Sequence, residues 1–278
     1  MQMRCAWNEL ISILPVRLRD KLTQEDRNNL NELRLRTGCP PILISGSRKR
    51  VLDGTVTRED LNFSIQLASR YSPWTASSLA YGYLTAPGGH RIGVCGQAVV
   101  KDGILDGFQT VRSLCIRVAR DHPGIAEGIG TDKSVLIIGP PGRGKTTLLR
   151  DYVRLLGGRG TPVAVVDERG EVFPNGLFPE GVPADVITGC PKVQGIETVL
   201  RTMGPEVIAV DEITSEKDCR ALIQTGWCGV RVIGTAHAAC REDLMSRPVY
   251  RPIIESGIFE KLIILQPDRT WRMEGMKP

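Results

Sequence analysis

The sequence is poor in aromatic residues, and its charge is balanced and dispersed. Phenylalanine, tryptophan and tyrosine make up 5% of the 278 residues, and the net charge at pH 7 is only +5. A surface that binds single-stranded nucleic acid usually interleaves aromatic and basic side chains. The one tight basic cluster, Arg48-Lys49-Arg50, is expected on a solvated turn. We therefore expect no direct contact with nucleic acid.

The sequence also has no paired-cysteine motif and no long apolar run. Its eight cysteines are scattered, and none forms a C-x-x-C pair. No apolar run approaches the about 20 residues of a membrane-spanning helix, and residues 1–15 lack the apolar core of a secretory signal peptide. These absences predict a cytoplasmic protein with reduced cysteines and no transmembrane segment.

The pattern of apolar residues changes along the chain. Residues 1–121 mix strand and helix patterns, with a helix expected over Thr57–Tyr71 and a hairpin turn at Lys101-Asp102-Gly103. Beyond residue 134, short apolar strands alternate with helical patterns, as is typical of a mostly parallel sheet with helices on both faces. These strands are Val135–Ile138, Val163–Val166, Val207–Val210 and Val230–Thr235. We predict an α/β protein with a smaller mixed α/β domain at 1–121 and a second domain at 122–278.

A complete Walker A motif follows the first of these strands and precedes a helical segment. Its glycines let backbone N–H groups face phosphates, and the helix N-terminus adds a partial positive charge. We expect Lys145 to act on the β- and γ-phosphates of ATP and Thr146 to bind Mg²⁺. The expected nucleotide contacts are Gly139, Pro140, Pro141, Gly142, Arg143, Gly144, Lys145, Thr146 and Thr147.

Two carboxylates follow the apolar strand Val207–Val210, about 65 residues beyond the Walker A motif. Asp211 is expected to hold Mg²⁺, and Glu212 to orient and deprotonate the attacking water. Taken alone, such a pair is commonly only a solvated strand end. Beside a Walker A motif it predicts a Walker B strand.

Polar residues also follow the other strands, at the sheet edge where ligands of open α/β folds bind. Asp167-Glu168-Arg169-Gly170-Glu171 follows one strand, and Thr235-Ala236-His237 completes another. Thr235 and His237 could sense the γ-phosphate, although a structural hydrogen-bonding role for His237 stays open. A metal site of His237 with Cys240 lacks further ligands.

These blocks together resemble the secretion and pilus-motor ATPases. Glu168 and Glu171 are similar to the acidic box of those proteins, and residues 200–206 (LRTMGPE) to the segment before their Walker B strand. Residues 234–238 (GTAHA) resemble their histidine box. Those motors commonly carry Gly-Glu in place of Asp211-Glu212, which puts this chain in a side branch.

The upstream half resembles the stage III sporulation protein AA family more specifically. The similarity lies in residues 82–96 (GYLTAPGGHRIGVCG) and 113–120 (SLCIRVAR). It implies an N-terminal α/β domain joined to a RecA-like domain in a homohexameric ring. It further implies an ATPase serving the membrane channel proteins of a secretion-like complex between mother cell and forespore. Peripheral attachment at the mother-cell face of the forespore membrane is the expected location.

The resemblance also suggests roles for arginines, Glu168 and His237. In the secretion motors, arginines of the N-terminal domain and of a neighbouring subunit approach the phosphates, which suggests Arg91 and Arg117 for the first role. Arg201 is the candidate for the second role or for support within the subunit. Glu168 is a candidate nucleotide contact and His237 a candidate catalytic residue.

Two other functions stay open from the sequence. A nucleic-acid-stimulated RecA-like ATPase would need a basic, aromatic face. A slow nucleotide-gated scaffold would bind ATP with little turnover, which the intact Glu212 disfavours. A GTPase is disfavoured because no Asn-Lys-x-Asp segment follows the Walker B strand.

Overall fold

The computed structural model describes residues 4–69, 82–174, 182–268 and 270–276. These residues fall into two compact units. The N-terminal unit contains residues 4–121 together with Pro174, and the C-terminal unit contains residues 122–173 and 182–276. Among the described residues, no helix combines the length and apolar character needed to cross a membrane.

The N-terminal unit combines short helices with an antiparallel sheet, as the mixed α/β pattern predicts. Its helices are α1 (Trp7–Ser12), α2 (Val16–Arg19), α3 (Gln24–Asn29) and α4 (Arg58–Ser69). Its strands are β1 (Arg4–Cys5), β2 (Glu32–Arg36), β3 (Ile42–Ser45), β4 (Arg48–Val51), β5 (Tyr83–Thr85), β6 (Arg91–Lys101), β7 (Ile104–Arg117) and β8 (Arg120–Asp121). The predicted helix Thr57–Tyr71 corresponds to α4, and its expected last two residues lie outside the described ranges.

Strands β2 to β7 form one sheet in the order β4-β3-β2-β7-β6-β5. Strands β6 and β7 make a long ribbon closed at the predicted turn, where Asp102 and Gly103 have φ of 52° and 77°. Positive φ at both central residues gives a turn twist that matches the right-handed twist of the ribbon. The cluster Arg48-Lys49-Arg50 lies on the exposed edge strand β4 and not on a turn, which corrects the expectation from sequence. Charged side chains there discourage pairing with another sheet edge.

The C-terminal unit contains the remaining elements. Its strands are β9 (Val135–Ile138), β10 (Val163–Asp167), β11 (Asp185–Thr188), β12 (Val207–Val210), β13 (Arg231–Ala236), β14 (Lys261–Leu265) and β15 (Trp271–Gly275). Its helices are α5 (Lys145–Gly158), α6 (Lys192–Thr202), α7 (Glu216–Trp227), α8 (Arg241–Ser246) and α9 (Arg251–Glu255).

The sheet of this unit runs in the order β11-β10-β12-β13-β9-β14-β15, and β15 is antiparallel to its neighbour while the other strands are parallel. Every residue of β9, β10 and β12 is buried. Such uninterrupted burial requires cover on both faces of the sheet. The parallel register places the carboxyl ends of β10, β12, β13 and β9 side by side, and the segments that leave these four strands build the candidate site.

Candidate functional site

The loop between β9 and α5 has the backbone geometry of a phosphate cradle. Gly142 and Gly144 have φ of 74° and 95°, a left-handed conformation that L side chains rarely adopt. Gly144 precedes the first residue of the 14-residue helix α5. The positive end of that helix and its unpaired N–H groups therefore face the loop, which favours an anion.

Lys145 is folded back onto this loop. Its Nζ donates to the carbonyl oxygens of Gly139 (2.9 Å) and Pro140 (3.1 Å) and lies 2.9 Å from Nδ1 of His237. The residue is buried, and burial lowers the pKa of Lys145 against the opposing effect of Glu212 and Asp211. A partly desolvated ammonium group interacts strongly with any anion that reaches the loop.

Thr146, Asp211 and Thr235 form a hydroxyl–carboxylate cluster beneath the loop. The Thr146 hydroxyl donates to the Asp211 carboxylate at 3.3 Å, and the Thr235 hydroxyl donates to the same Oδ1 at 3.3 Å. Burial, followed by the negative charges of Glu171 and Asp167, raises the pKa of Asp211 to about 6. A nearby cation would favour its ionised form.

These donors fit Mg²⁺, which binds through one or two protein oxygens together with substrate phosphates. Thr146 and Asp211 supply a hydroxyl and a carboxylate within hydrogen-bond distance of each other. Across the described ranges, no cluster of three or more His, Cys, Asp or Glu side chains forms a metal site. A hydroxyl and one carboxylate are a ligand set that suits Mg²⁺ bound together with the phosphates of a nucleotide.

Glu212 has an unusual backbone conformation. Its φ of 41° is left-handed, and Asp102 in the ribbon turn is the other described non-glycine residue with positive φ. Such a conformation costs about 1–3 kcal/mol and persists only where surrounding contacts enforce it. The Glu212 N–H donates to the Thr235 hydroxyl (3.0 Å), and its carbonyl accepts from Lys192 Nζ (2.7 Å).

His237 lies between the carboxylate of Glu212 and the ammonium group of Lys145. Its Nε2 is 3.0 Å from Glu212 Oε1. The backbone N–H of His237 donates to the Tyr250 hydroxyl (3.3 Å), which in turn donates to the Ile213 carbonyl (3.3 Å). Tyr250 thereby ties the segment after β13 to the segment after β12.

The acidic segment after β10 is held by a buried carboxylate and a buried arginine. Asp167 accepts from the N–H groups of Glu171 (2.8 Å) and Val172 (2.8 Å), and Arg150 donates to the Glu171 carbonyl (2.8 Å). Glu168 points its carboxylate toward Lys192, with Oε2 3.6 Å from Nζ. The Arg169 guanidinium, through Nη1, lies 3.7 Å from Glu212 Oε2.

The structure thus brings five of the residues predicted from sequence into one connected group of contacts: Lys145, Thr146, Asp211, Glu212 and His237. Arg201 is not part of this group. Arg201 is in the last turn of α6, just before β12 begins, at the amino ends of the parallel strands. There it lines a cavity of about 620 Å³. Its neighbours in that cavity include Leu200, Gly204 and Cys228. A phosphate contact by Arg201 in a neighbouring subunit stays a prediction.

The remaining predicted arginines belong to the N-terminal unit. Arg91 and Arg117 are register partners on β6 and β7, and Glu32 of β2 is the partner of Arg117 on its other side. The Arg91 guanidinium also lies over the Tyr83 ring, 5.6 Å from its centroid. The structure places these arginines opposite each other on neighbouring strands. Their action on a nucleotide stays a prediction.

Two residues of the site carry no recognisable signal in the sequence. Lys192 is buried beside Glu212, and Tyr250 contacts the backbone on both sides of the site. Neither lies in a known motif: Lys192 reaches the site from the first position of α6, and Tyr250 from the residue before α9. The sequence marks Thr235 only as a candidate phosphate sensor, and its bonds to both Asp211 and Glu212 are visible only in three dimensions.

Comparison with solved structures confirms the α/β P-loop fold. The X-ray structure of the ATPase DotB from Legionella pneumophila superimposes with a TM-score of 0.57 at 17% identity, covering 88% of this chain and 75% of that one. The pilus retraction motor PilT with bound ADP gives a TM-score of 0.58 at 13% identity, covering 85% and 74%. At these identities the likeness shows the fold alone.

Sequence comparison shows the family. Stage III sporulation protein AA of Bacillus subtilis (strain 168) is 36% identical over an alignment 279 residues long. The alignment covers 93% of this chain and 90% of that protein. The model of the family described as sporulation stage III, protein AA, matches residues 5–276. The chain belongs to the sporulation stage III protein AA family.

Proposed function

We propose that this chain is a Mg²⁺-dependent ATPase that acts in sporulation by powering transport or assembly through a membrane channel complex. The observation that carries the proposal is the convergence of Lys145 and Glu212 on the two ring nitrogens of His237. In this proposal Lys145 binds phosphate and Glu212 is the base, and His237 contacts both. This is the arrangement that hydrolysis of a terminal phosphate needs.

In this proposal the chain's residues bind the phosphates, orient the catalytic carboxylate and accept one proton from water. The N–H groups of the loop and Lys145 bind the phosphates, with Lys145 exchanging its carbonyl partners for phosphate oxygens. Glu212 accepts the proton of the attacking water, and His237 fixes the direction of that carboxylate. Thr146 and Asp211 would hold Mg²⁺, whose chemical contribution is to neutralise charge on the phosphate oxygens.

We further propose that six copies form a ring in the cytoplasm, docked peripherally on membrane proteins of the sporulation complex. Support comes from the family's link to sporulation and from the names of the two proteins of similar fold, an ATPase and a retraction motor. In such a ring Arg201 would reach the nucleotide of the adjacent copy. A contact of this kind is worth about 10³–10⁵ in rate where it has been measured in other P-loop enzymes.

The proposal is tested by phosphate release from the purified chain with ATP and Mg²⁺. We expect turnover that EDTA abolishes, that Lys145→Ala and Glu212→Gln remove, and that DNA leaves unchanged. Phosphate release that persists in both variants would refute the enzymatic function. Strong stimulation by DNA would instead favour a nucleic-acid-stimulated ATPase, and tight ATP binding without turnover would favour a scaffold.

A further inference from the structure

Lys192 is a buried lysine placed where local electrostatics oppose it. It is the first residue of α6, and the first turn of a helix disfavours cations because the N-terminus carries partial positive charge. Its side chain is only 4% exposed. A buried ammonium group is unfavourable unless oxygen atoms surround it, so tertiary contacts must account for its position.

Three oxygens surround the Lys192 ammonium group, which has three protons to donate. The Glu212 carbonyl accepts at 2.7 Å. Carboxylate oxygens of Asp218 and Glu168 lie at 3.5 Å and 3.6 Å. Lys192 therefore joins the end of β10, the end of β12 and the first turn of α7 at one point.

The shortest of these contacts is to the carbonyl oxygen of Glu212, the residue with a left-handed backbone conformation. The left-handed φ of Glu212 determines where its carboxylate projects, and the Thr235 hydroxyl holds the N–H side of that residue. Lys192 holds the carbonyl side. Loss of either contact would let the backbone relax toward ordinary φ values and redirect the carboxylate away from His237.

We propose that Lys192 is a positioning residue for hydrolysis, which locks Glu212 in its left-handed conformation so that the carboxylate faces the attacking water. This inference rests on the proposed ATPase function. Lys192 acts through the Glu212 carbonyl and not on the nucleotide. Its contact with Glu168 would also make the conformation of Glu212 respond to the acidic segment after β10.

A simpler role for Lys192 would be to balance the charge of Asp218, and the positioning role must be tested against it. The Asp218 carboxylate already accepts from the N–H groups of Thr214 (2.9 Å) and Ser215 (3.1 Å) in a capping box of α7. Against burial, which raises its pKa, the Asp218 carboxylate is therefore stabilised by these backbone donors as well as by the charge of Lys192, both of which lower its pKa. A lysine that served only Asp218 would affect thermal stability and leave the rate per folded molecule unchanged.

The first test compares Lys192→Met, Lys192→Arg and the control Lys217→Met, an exposed lysine on α7. We expect Lys192→Met to lower kcat about 10- to 100-fold, as expected for a misplaced catalytic group, with KM and nucleotide Kd within about two-fold. Lys192→Arg retains a donor and should recover part of kcat, and Lys217→Met should match the wild type. Equal kcat per folded molecule in Lys192→Met and Lys217→Met would overturn the inference.

The second test does not depend on hydrolysis. The N–H groups of Glu212 and Ile213 are protected from exchange by hydrogen bonds to Thr235. If Lys192→Met lets this backbone relax, amide hydrogen exchange of nucleotide-free protein should be faster by about ten-fold or more at both residues. Exchange across β9 should be unchanged. Unaltered protection at Glu212 would overturn the positioning role even if the wild type hydrolyses ATP. Faster exchange in a protein without any ATPase activity would instead support the positioning contact and refute the proposed function.

Discussion

Glu212 Oε1 lies 3.0 Å from Nε2 of His237, on the side of the ring opposite Lys145. The other ring nitrogen, Nδ1, is 2.9 Å from Lys145 Nζ, and an ammonium group can only donate. Nδ1 therefore accepts, and Nε2 carries the proton that is donated to Glu212. His237 is thus held in one orientation by its two charged neighbours.

Removing this ring should impair hydrolysis more than nucleotide binding. In His237→Ala, Glu212 loses the donor that directs its carboxylate, so we expect kcat to fall about ten-fold or more with nucleotide Kd within about two-fold. His237→Gln supplies an amide donor and should recover part of the rate. Steady-state hydrolysis and equilibrium binding of a fluorescent nucleotide measure the two effects. A large loss of affinity with unchanged kcat would mean that His237 serves binding instead.

Glu212→Gln should separate binding from chemistry. The amide keeps the shape of the side chain but cannot accept a proton from water, so kcat should fall about 10²–10⁴-fold. Rapid filtration should show ATP retained on the variant in its unhydrolysed form. The control Glu216→Gln alters an exposed carboxylate on α7 and should hydrolyse ATP at the wild-type rate. Wild-type kcat in Glu212→Gln would remove this residue from the mechanism.

If Arg201 acts on the nucleotide of a neighbouring copy, two inactive variants should complement each other. Lys145→Ala has an intact Arg201 but a defective loop, and Arg201→Ala has the opposite defect. Their mixture should hydrolyse ATP although each alone is nearly inactive, and wild-type activity per subunit should rise with protein concentration. Arg220→Ala removes an exposed arginine of α7 and serves as the control. An additive mixture and a flat dilution series would contradict a trans role.

The pair of Arg17 and Asp60 should make the N-terminal unit sensitive to acid. Arg17 Nε and the Thr57 N–H donate to the Asp60 carboxylate at 2.9 Å and 2.7 Å. Burial alone would raise the pKa of Asp60, but these hydrogen bonds outweigh it, and the pKa lies below its ordinary value. The carboxylate therefore stabilises the fold above the unfolded pKa of about 3.9, and this contribution is lost as the pH falls through the lower folded pKa.

Accordingly, Asp60→Asn should lower the free energy of unfolding by about 2 kcal/mol at pH 6.5, as for hydrogen bonds to a charged group, and by clearly less at pH 3. Native-state hydrogen exchange of the central strand β2 reports the stability of this unit. Asp106→Asn, at an exposed position of β7, should have little effect at either pH. If wild type and Asp60→Asn differed in free energy of unfolding by the same amount at both pH values, the charge of Asp60 would not be the cause of the difference.

The sequence by itself predicts the fold class and the local motifs of this protein. The Walker A loop is readable because its glycines, lysine and threonine are adjacent and their backbone geometry is a local property. The parallel sheet is readable because strands buried on both faces appear as continuous apolar runs. The edge position of Arg48-Lys49-Arg50 is not readable in this way, since a short charged strand at a sheet edge has the composition of a turn.

Only the tertiary structure decides how these motifs are connected. The left-handed backbone of Glu212, the ring of His237 between two charges and the buried Lys192 depend on segments about 20 to 90 residues apart in sequence. A lysine at the start of a helix opposes local preference, so no sequence pattern marks it as part of the site. Its position is set by the oxygen atoms that three separate elements bring to one point, and that convergence exists only in the folded sheet.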